Sequence, residues 1–416
     1  MPRESDSSIA PTELKNRVTV QPKPLTMPIY MDHNATTPVD PRVQEVMRPY
    51  LNEQFGNASS ASHAYGWQAQ AAVKKAREQV ANLLNCEPHH VLWTSGATES
   101  NNMAILGLAR AFHQDRPHII TQATEHKAIL EVCEAAREYG ADVTVLPVDS
   151  EGFVRVQDIE KAITPRTVLV SIMMANNEVG TMQPVNEIAE LCRERKIVFH
   201  TDAAQSVCKC QIDLAQIPFD MLSISAHKIY GPKGMGALVV KPTNREFNLK
   251  PLIFGGDQEK GLRPGTLNVM GIVGLGEACA IGQQIMPDEC ARMCRMQTAI
   301  LDAVTEKFPD VRVNGPRKKR LCNNVSISLP GITLDEIMLD LSGIAYSSGS
   351  ACNSANPKPS HVLKAMGVPD DVARSTLRFG VGRFTTPEEV QIVIDKLLKV
   401  LGNAYPSKAV TNARPL

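Results

Sequence analysis

The chain has no excess of either charge. Its 416 residues hold 44 Lys and Arg against 44 Asp and Glu, which argues against a general polyanion binder and leaves room only for a local charged site. No apolar run is long enough to cross a bilayer, and with 43% hydrophobic residues the composition is that of a soluble globular protein. No internal repeat is visible. Zinc-site spacing is also missing: the closest of the ten cysteines, Cys208/Cys210 and Cys290/Cys294, have no partner His or Cys at the right distance in sequence, so no metal is expected. Residues 1–28 are polar, carry Glu4, Asp6 and Glu13, and lack the apolar core of a signal peptide. They read as a disordered extension, and the scattered cysteines then read as reduced thiols in the cytoplasm.

A chain of this length is more than one domain usually holds. Strand-like runs alternate with amphipathic helical stretches: Val91–Trp93, His118–Ile120, Val143–Leu146, Thr167–Met173, Ile197–Phe199, Met221–Ile224 and Ala237–Val240 are the strands. Gln68–Leu84, Ser100–Phe112, Ala128–Tyr139 and Val185–Arg195 are the helices between them. That alternation predicts an α/β fold whose mostly parallel central sheet is covered on both faces. Beyond Thr266 the pattern changes to two long helices, Gly271–Ile285 and Asp288–Phe308, then a strand at Asn324–Leu329 and a last helix at Pro387–Leu401. The expected division is a large domain over 38–285, a smaller α/β domain formed by 29–37 and 286–405, and a tail at 406–416.

In such a sheet the carboxyl ends of the strands collect ligands, so the residues just after each strand carry the chemistry. Lys228 lies in Ser225-Ala226-His227-Lys228-Ile229-Tyr230-Gly231, past an apolar strand. On its own it would be a surface charge, but an amine held there can also bind an aldehyde cofactor as a Schiff base. After the first strand, Ser95-Gly96-Ala97-Thr98 opens a helix whose amides would hold a phosphate, with Ser95 or Thr98 as a plain helix cap the alternative. Asp202, after Ile197–Phe199, could pair with a protonated ring nitrogen or merely form a turn. Asn176-Asn177 offers an amide for a ring hydroxyl or a substrate carboxylate, and His126 an imidazole for stacking and proton transfer or for capping. Cys352 differs from the other cysteines because its neighbours in Ser347-Ser348-Gly349-Ser350-Ala351-Cys352-Asn353-Ser354 are polar. A thiol on such a loop is exposed and can act as a nucleophile.

Taken in order, Tyr30-Met31-Asp32-His33-Asn34-Ala35-Thr36-Thr37-Pro38, SGATESNN, TEHKAIL, ANNEVGT, HTDAAQS, SAHKIYGPKG, LRPGTLNV, SSGSACNSA and LRFGVGRFTT resemble the cysteine desulfurase family over residues 29 to 402. The resemblance implies the aminotransferase-like fold of pyridoxal-phosphate enzymes (fold type I), pyridoxal 5'-phosphate as cofactor, L-cysteine as substrate, a homodimer, and a sulfur-acceptor protein as partner. It implies no membrane, and contact with transfer RNA only through an acceptor. By residue, it makes Lys228 the cofactor-bearing lysine, Asp202 the partner of the ring nitrogen, and His126 the stacking ring. Asn177 and Gln205 would face the ring hydroxyl, Ala97, Thr98, Ser225 and His227 would hold the phosphate, and Thr266 would reach the phosphate of the other subunit. Arg378 would clamp the substrate carboxylate, assisted by Asn34 and Asn177, and Cys352 would carry sulfur away as a persulfide for iron–sulfur cluster assembly or for thiolation of tRNA or a cofactor.

Two alternatives share the scaffold. Arg263-Pro264-Gly265-Thr266 and Gly367–Arg374 are similar to selenocysteine lyases, whereas Lys127 after His126 and the SSGSAC loop are desulfurase-like. A non-catalytic sulfur-relay scaffold would not need Lys228, Asp202, His126 and Cys352 together. Some segments depart from the family pattern. Asp257 stands where relatives have a third glycine, the tail lacks the Trp and His ending that docks the iron–sulfur scaffold protein, and Arg317-Lys318-Lys319-Arg320 reads as a solvated loop.

Overall fold

The computed structural model describes residues 27–348 and 359–405; Cys352 and the tail beyond residue 405 lie outside them. Thirteen strands are found among the described residues: β1 (Ile29–Tyr30), β2 (Val91–Thr94), β3 (His118–Gln122), β4 (Asp142–Leu146), β5 (Thr167–Ser171), β6 (Val198–Asp202), β7 (Met221–Ser225), β8 (Gly236–Val240), β9 (Arg312–Val313), β10 (Asn324–Ser328), β11 (Ile344–Ala345), β12 (Ser347–Ser348) and β13 (Thr376–Gly380). The helices are α1 (Pro41–Met47), α2 (Ala64–Leu84), α3 (Ala97–Ala111), α4 (Lys127–Arg137), α5 (Val156–Ala162), α6 (Val185–Arg195), α7 (Val269–Lys307), α8 (Leu334–Met338), α9 (His361–Ala365), α10 (Asp370–Arg374) and α11 (Pro387–Ala404).

Seven strands form the main sheet in the order β2-β8-β7-β6-β5-β3-β4. From β7 to β4 every pairing is parallel, while β8 runs antiparallel to both β7 and β2. Side chains of a strand point alternately to the two faces, and apart from the edge strand β4 both faces are dry here. Val91, Trp93, Val170, Phe199, Leu222, Ile224 and Val239 enter one core with α2, α6 and the first half of α7. Their neighbours Leu92, Leu169, Val198, Met221 and Leu238 enter a second core with α3 and α4. Burial on both sides explains why these strands read as continuous apolar runs. A smaller antiparallel sheet, β12-β13-β10-β9, packs with α8, α11 and the second half of α7 around a third core.

The two long helices expected on either side of Pro287 are one helix. α7 runs unbroken for 39 residues with Pro287 inside it. Proline removes one backbone donor and usually kinks or ends a helix, but here burial of both halves overrides it: Ile272, Leu275, Ala278 and Ile281 fill the first core, and Met293, Met296, Ile300 and Val304 the third. By length and composition α7 also holds a stretch long and apolar enough to cross a membrane, contrary to expectation, yet more than half of that stretch is buried in the protein. It is a shared core helix. The last helix, α11, starts where its sequence directs, with Pro387 in its first turn and Thr386 and Glu389 forming a reciprocal capping box.

Candidate active site

Five strand ends open onto one cavity of about 450 Å³. Ala97, Thr98, His126, Asn177, Asp202, Gln205, Ser225, His227 and Lys228 all line it. β2, β3, β5, β6 and β7 all run in the same direction, since β8 lies between β2 and β7 and is antiparallel to both, so their carboxyl ends, and the start of α3 that follows β2, meet at one edge.

Neither Ser95 nor Thr98 caps α3. Its N-cap is Gly96, at φ 151 and ψ 177, with no side-chain cap, and the Ser95 amide is taken by the Glu99 carboxylate at 2.7 Å. The first amides of the helix are thus left for a ligand, at the positive end of the helix dipole. Close packing sets this turn: a Cβ on Gly236 of β8 would stand 2.5 Å from the Gly96 Cα and from the Ile224 carbonyl oxygen. Glu99 in turn accepts from Arg263 Nε at 2.9 Å, tying the turn to the loop before α7.

Lys228 sits in a single 3-10 turn after β7, and its Nζ donates to the carbonyls of Asn34 at 2.7 Å and Ala35 at 2.6 Å. Burial holds its pKa down from 10.5 to about 8, helped by the nearby charges of Arg378 and Lys209 against the pull of Asp202 and Asp32. Asp202, at the end of β6, accepts from the Ala204 amide at 2.9 Å and from Asn101 Nδ2 at 2.7 Å. It both forms a turn and presents a carboxylate to the cavity. His126 likewise fills both of its expected roles: Nδ1 caps α4 by accepting from the Ala128 amide at 3.1 Å, while the ring lines the cavity. That bond leaves the proton on Nε2, and burial holds the ring neutral by lowering its pKa, with Lys228 and His361 adding to the effect and Asp202 opposing it. His227 is pushed to about 4 by burial and by the ammonium groups of Lys228, Lys233 and Lys209; its Nδ1 lies 3.1 Å from Thr36 Oγ1.

Asn176 makes the turn after β5, its Oδ1 accepting from the amides of Glu178 and Val179, which leaves Asn177 to face the cavity. Asn34 is buried; Gln205 Nε2 donates to its carbonyl at 2.8 Å and its Oδ1 has no partner. Arg378, on β13, does not line the cavity. It donates to the Asn177 carbonyl at 3.2 Å, to Asp32 Oδ1 at 2.9 Å and to Ser347 Oγ at 2.9 Å, and its buried Nε is left without a partner. Thr266 is exposed and stands outside this cavity. Cys352 lies outside the described residues, but the flanks of its segment are anchored beside the site: Ser347 donates to Asp32 Oδ2 at 2.9 Å, and His361 Nε2 lies 2.9 Å from the Glu125 carbonyl oxygen. Among the described residues no group of His, Cys, Asp or Glu is arranged to hold a metal.

Sequence reading missed Asn101, Asp32, Glu125 and Lys209. Asn101 is one helical turn beyond Ala97 and had a legible signal, since an amide on the inner face of a helix that opens at a site tends to be paired there. Glu125 is fully buried, with no cation beside it among the described residues. Burial raises its pKa well above the usual carboxylate value, and it accepts from the Met173 amide at 2.6 Å and from Gln122 Nε2 at 3.2 Å.

The donor set fits pyridoxal phosphate: free helix amides for the phosphate, a carboxylate and a flat imidazole for the ring, and a deprotonatable lysine within one cavity. Comparison with known proteins agrees. The profile of the family described as Aminotransferase class-V matches residues 29–393. The cysteine desulfurase of Homo sapiens is 44% identical over 376 residues, 90% of this chain and 82% of that protein. "Cysteine desulfurase IscS" of Shewanella loihica is 45% identical over 91% of this chain and 94% of its own length. Among solved structures, a "NifS-like protein" superposes with a TM-score of 0.84 at 36% identity, covering 91% of this chain and all of that one, and "SspA in complex with cysteine" with 0.76 at 39% identity, covering 86% and 100%. On its strand-end site and on these similarities alike, the chain belongs to the cysteine desulfurase family of pyridoxal-phosphate-dependent class-V aminotransferases.

Proposed function

We infer that this enzyme takes sulfur from L-cysteine, leaves L-alanine, and carries the sulfur as a persulfide on Cys352 to an acceptor protein. The observation that carries the reading is Lys228: a buried amine with a pKa of about 8, set among Asp202, His126 and an uncapped helix start. Pyridoxal phosphate, when bound, supplies the electron sink that loosens bonds at the substrate α-carbon. Ala97, Thr98, Ser225 and His227 would hold its phosphate, and Asp202, kept in place by Asn101, would hold the protonated ring nitrogen.

The chain's own residues then divide the work. Lys228 Nζ anchors the cofactor, is freed by the incoming substrate, and takes the α proton; at its lowered pKa it can do so near neutral pH. His126 Nε2–H is the nearby proton donor. Arg378, with its fork held by Asp32 and Ser347, meets the substrate carboxylate together with Asn177 and Asn34. Cys352 thiolate attacks the substrate sulfur: an S–S bond forms as the Cβ–S bond breaks, the electron pair of that bond stays with Cβ and takes up a proton, and Lys228 returns the α proton to Cα to complete alanine.

The exposed position of Thr266 away from its own cavity, and the exposed Ile253 and Phe254 close by in sequence, support a homodimer in which Thr266 serves the partner's phosphate. We place the enzyme in a reducing, cytoplasmic environment on its unpaired thiols; a Drosophila melanogaster relative is named as mitochondrial. The test is product analysis with L-cysteine. Alanine and sulfane sulfur should form in equal amounts, and Cys352→Ala should keep the visible absorption of the bound cofactor while losing the persulfide. Turnover of selenocysteine alone, or undiminished sulfur transfer in Cys352→Ala, would overturn the assignment.

A further inference from the structure

The basic run 317–320, expected to be a solvated loop, is solvated only in part. Arg317, Lys318 and Lys319 are exposed, but Arg320 is only 8% exposed. Burial, with the charge of Arg317 adding to it, lowers its pKa to about 9. At neutral pH it is therefore a buried cation, and among the described residues no carboxylate pairs with it. Its hydrogen bonds end on carbonyl oxygens instead. Nη1 donates to Asn314 at 2.7 Å and to Pro316 at 3.2 Å, Nε to the main chain of Asn324 at 2.9 Å, and Nη2 to Asn324 Oδ1 at 2.9 Å. A cation held without a counter-charge is costly to bury, so its position calls for a reason.

The reason lies on the far side of Asn324. With Oδ1 taken by Arg320, the carboxamide turns Nδ2 toward the turn after β5, where it donates to the Glu178 carbonyl at 3.2 Å and reaches the Asn177 carbonyl at 3.5 Å. The main chain closes the same contact: the Leu321 amide donates to Gly180 and the Met182 amide to Lys319, both at 2.9 Å. Gly180, at φ 78, has no room for a side chain, since a Cβ there would stand 2.8 Å from Asn324 Oδ1 and 3.0 Å from Arg320 Cγ. The neighbouring Asn323 serves the other amide of the site, its Oδ1 accepting from Asn34 Nδ2 at 3.4 Å. β10, which Asn324 opens, pairs with β13, and Arg378 of β13 donates to the same Asn177 carbonyl at 3.2 Å. Asn34, Asn177 and Arg378 thus converge on one turn, residues 320–324.

We propose that Arg320 and Asn324 are positioning residues for the substrate carboxylate, holding the Asn177 turn of the main sheet against Arg378 of the small sheet, while Asn323 steadies Asn34. The inference rests on the carboxylate-binding role given above to Asn34, Asn177 and Arg378. Arg320 and Asn324 act through the Asn177 carbonyl, which accepts from both Asn324 and Arg378. A shift of that turn moves the Asn177 amide and one arm of the Arg378 fork together.

The test titrates the visible band of the holoenzyme with L-alanine and with ethylamine, the same molecule without its carboxylate. Alanine is the product whether sulfur or selenium is removed, so a wrong sulfur assignment would appear in the product analysis and leave this comparison intact. Asn324→Asp keeps the acceptor for Arg320 and gives that cation a counter-charge, but puts an oxygen where two carbonyls need a donor. It should melt within a few degrees of wild type, weaken L-alanine binding about tenfold and raise KM for cysteine to a similar extent, with ethylamine and pyridoxal phosphate binding unchanged. Arg320→Met keeps the aliphatic stem beside Gly180 and frees the Asn324 carboxamide, and should show the same selective loss to a smaller degree. Unchanged affinity for L-alanine in both variants, or equal weakening of L-alanine and ethylamine, would overturn the proposal.

Discussion

The depressed pKa of Lys228 makes a measurable demand on how the apoprotein takes up its cofactor. Only the uncharged amine can bond to an aldehyde. With a pKa of about 8, roughly one amine in ten is uncharged at pH 7, against about one in 3,000 for a lysine at 10.5, a gain of ~300-fold. The equivalent cost of burying the ammonium is roughly 3 kcal/mol, which the native packing offsets elsewhere. The rate of appearance of the visible band after mixing apoprotein with pyridoxal phosphate should therefore climb about tenfold per pH unit from pH 6 and level off near pH 8. Arg378→Met removes the largest charge that repels the Lys228 ammonium and leaves Asp32 unpaired. Both changes favour the charged amine, so the break should move upward by roughly half a pH unit or more. A wild-type rate still climbing at pH 10, or a break that moves down in Arg378→Met, would refute the reasoning.

Two further outcomes test other parts of the site. Glu125 is buried, no cation stands beside it among the described residues, and its pKa is raised, so its contribution to stability is whole below about pH 4, its unfolded value, and is lost as pH climbs toward the folded one. Glu125→Gln, which keeps the bond to the Met173 amide, should melt above wild type by a margin that widens from pH 5 to pH 9; a constant margin would show that the carboxyl is charged in the fold. Asp32→Asn takes away the carboxylate that fixes Arg378 and should raise KM for cysteine about tenfold with a smaller fall in kcat. An unchanged KM would remove Asp32 from the positioning of the fork.

The main sheet was legible in the sequence because its strands, apart from the edge strand β4, are buried on both faces, so most carry a short apolar run, from Val91–Thr94 to Gly236–Val240. The strand-end residues were legible for the same reason: Asp202, Lys228, His126 and Asn177 each follow such a run directly, and the structure brings them to one cavity. Short elements of the smaller sheet were not. β1, β9, β11 and β12 have two residues each, too few for any period to show, and Thr376–Gly380 was noted as a motif but not as a strand. Pro287 gave the wrong signal at the middle of α7, since proline chemistry acts locally whereas the burial that overrides it depends on two distant cores. The pairing of Asp32 with Arg378 could not be read either, because it joins residues that only the folded small sheet brings together.

That helix has a practical consequence for anyone dividing the protein. The domain boundary expected from the sequence after Ile285 invites a cut there, for separate expression of the two parts or for a split reporter. Such a cut would sever α7 between Ile281, packed in the first core, and Met293, packed in the third. Each fragment would expose an unpaired apolar helix face and would be expected to aggregate unless co-expressed with its complement. A workable division has to leave residues 269–307 whole, on one side or the other.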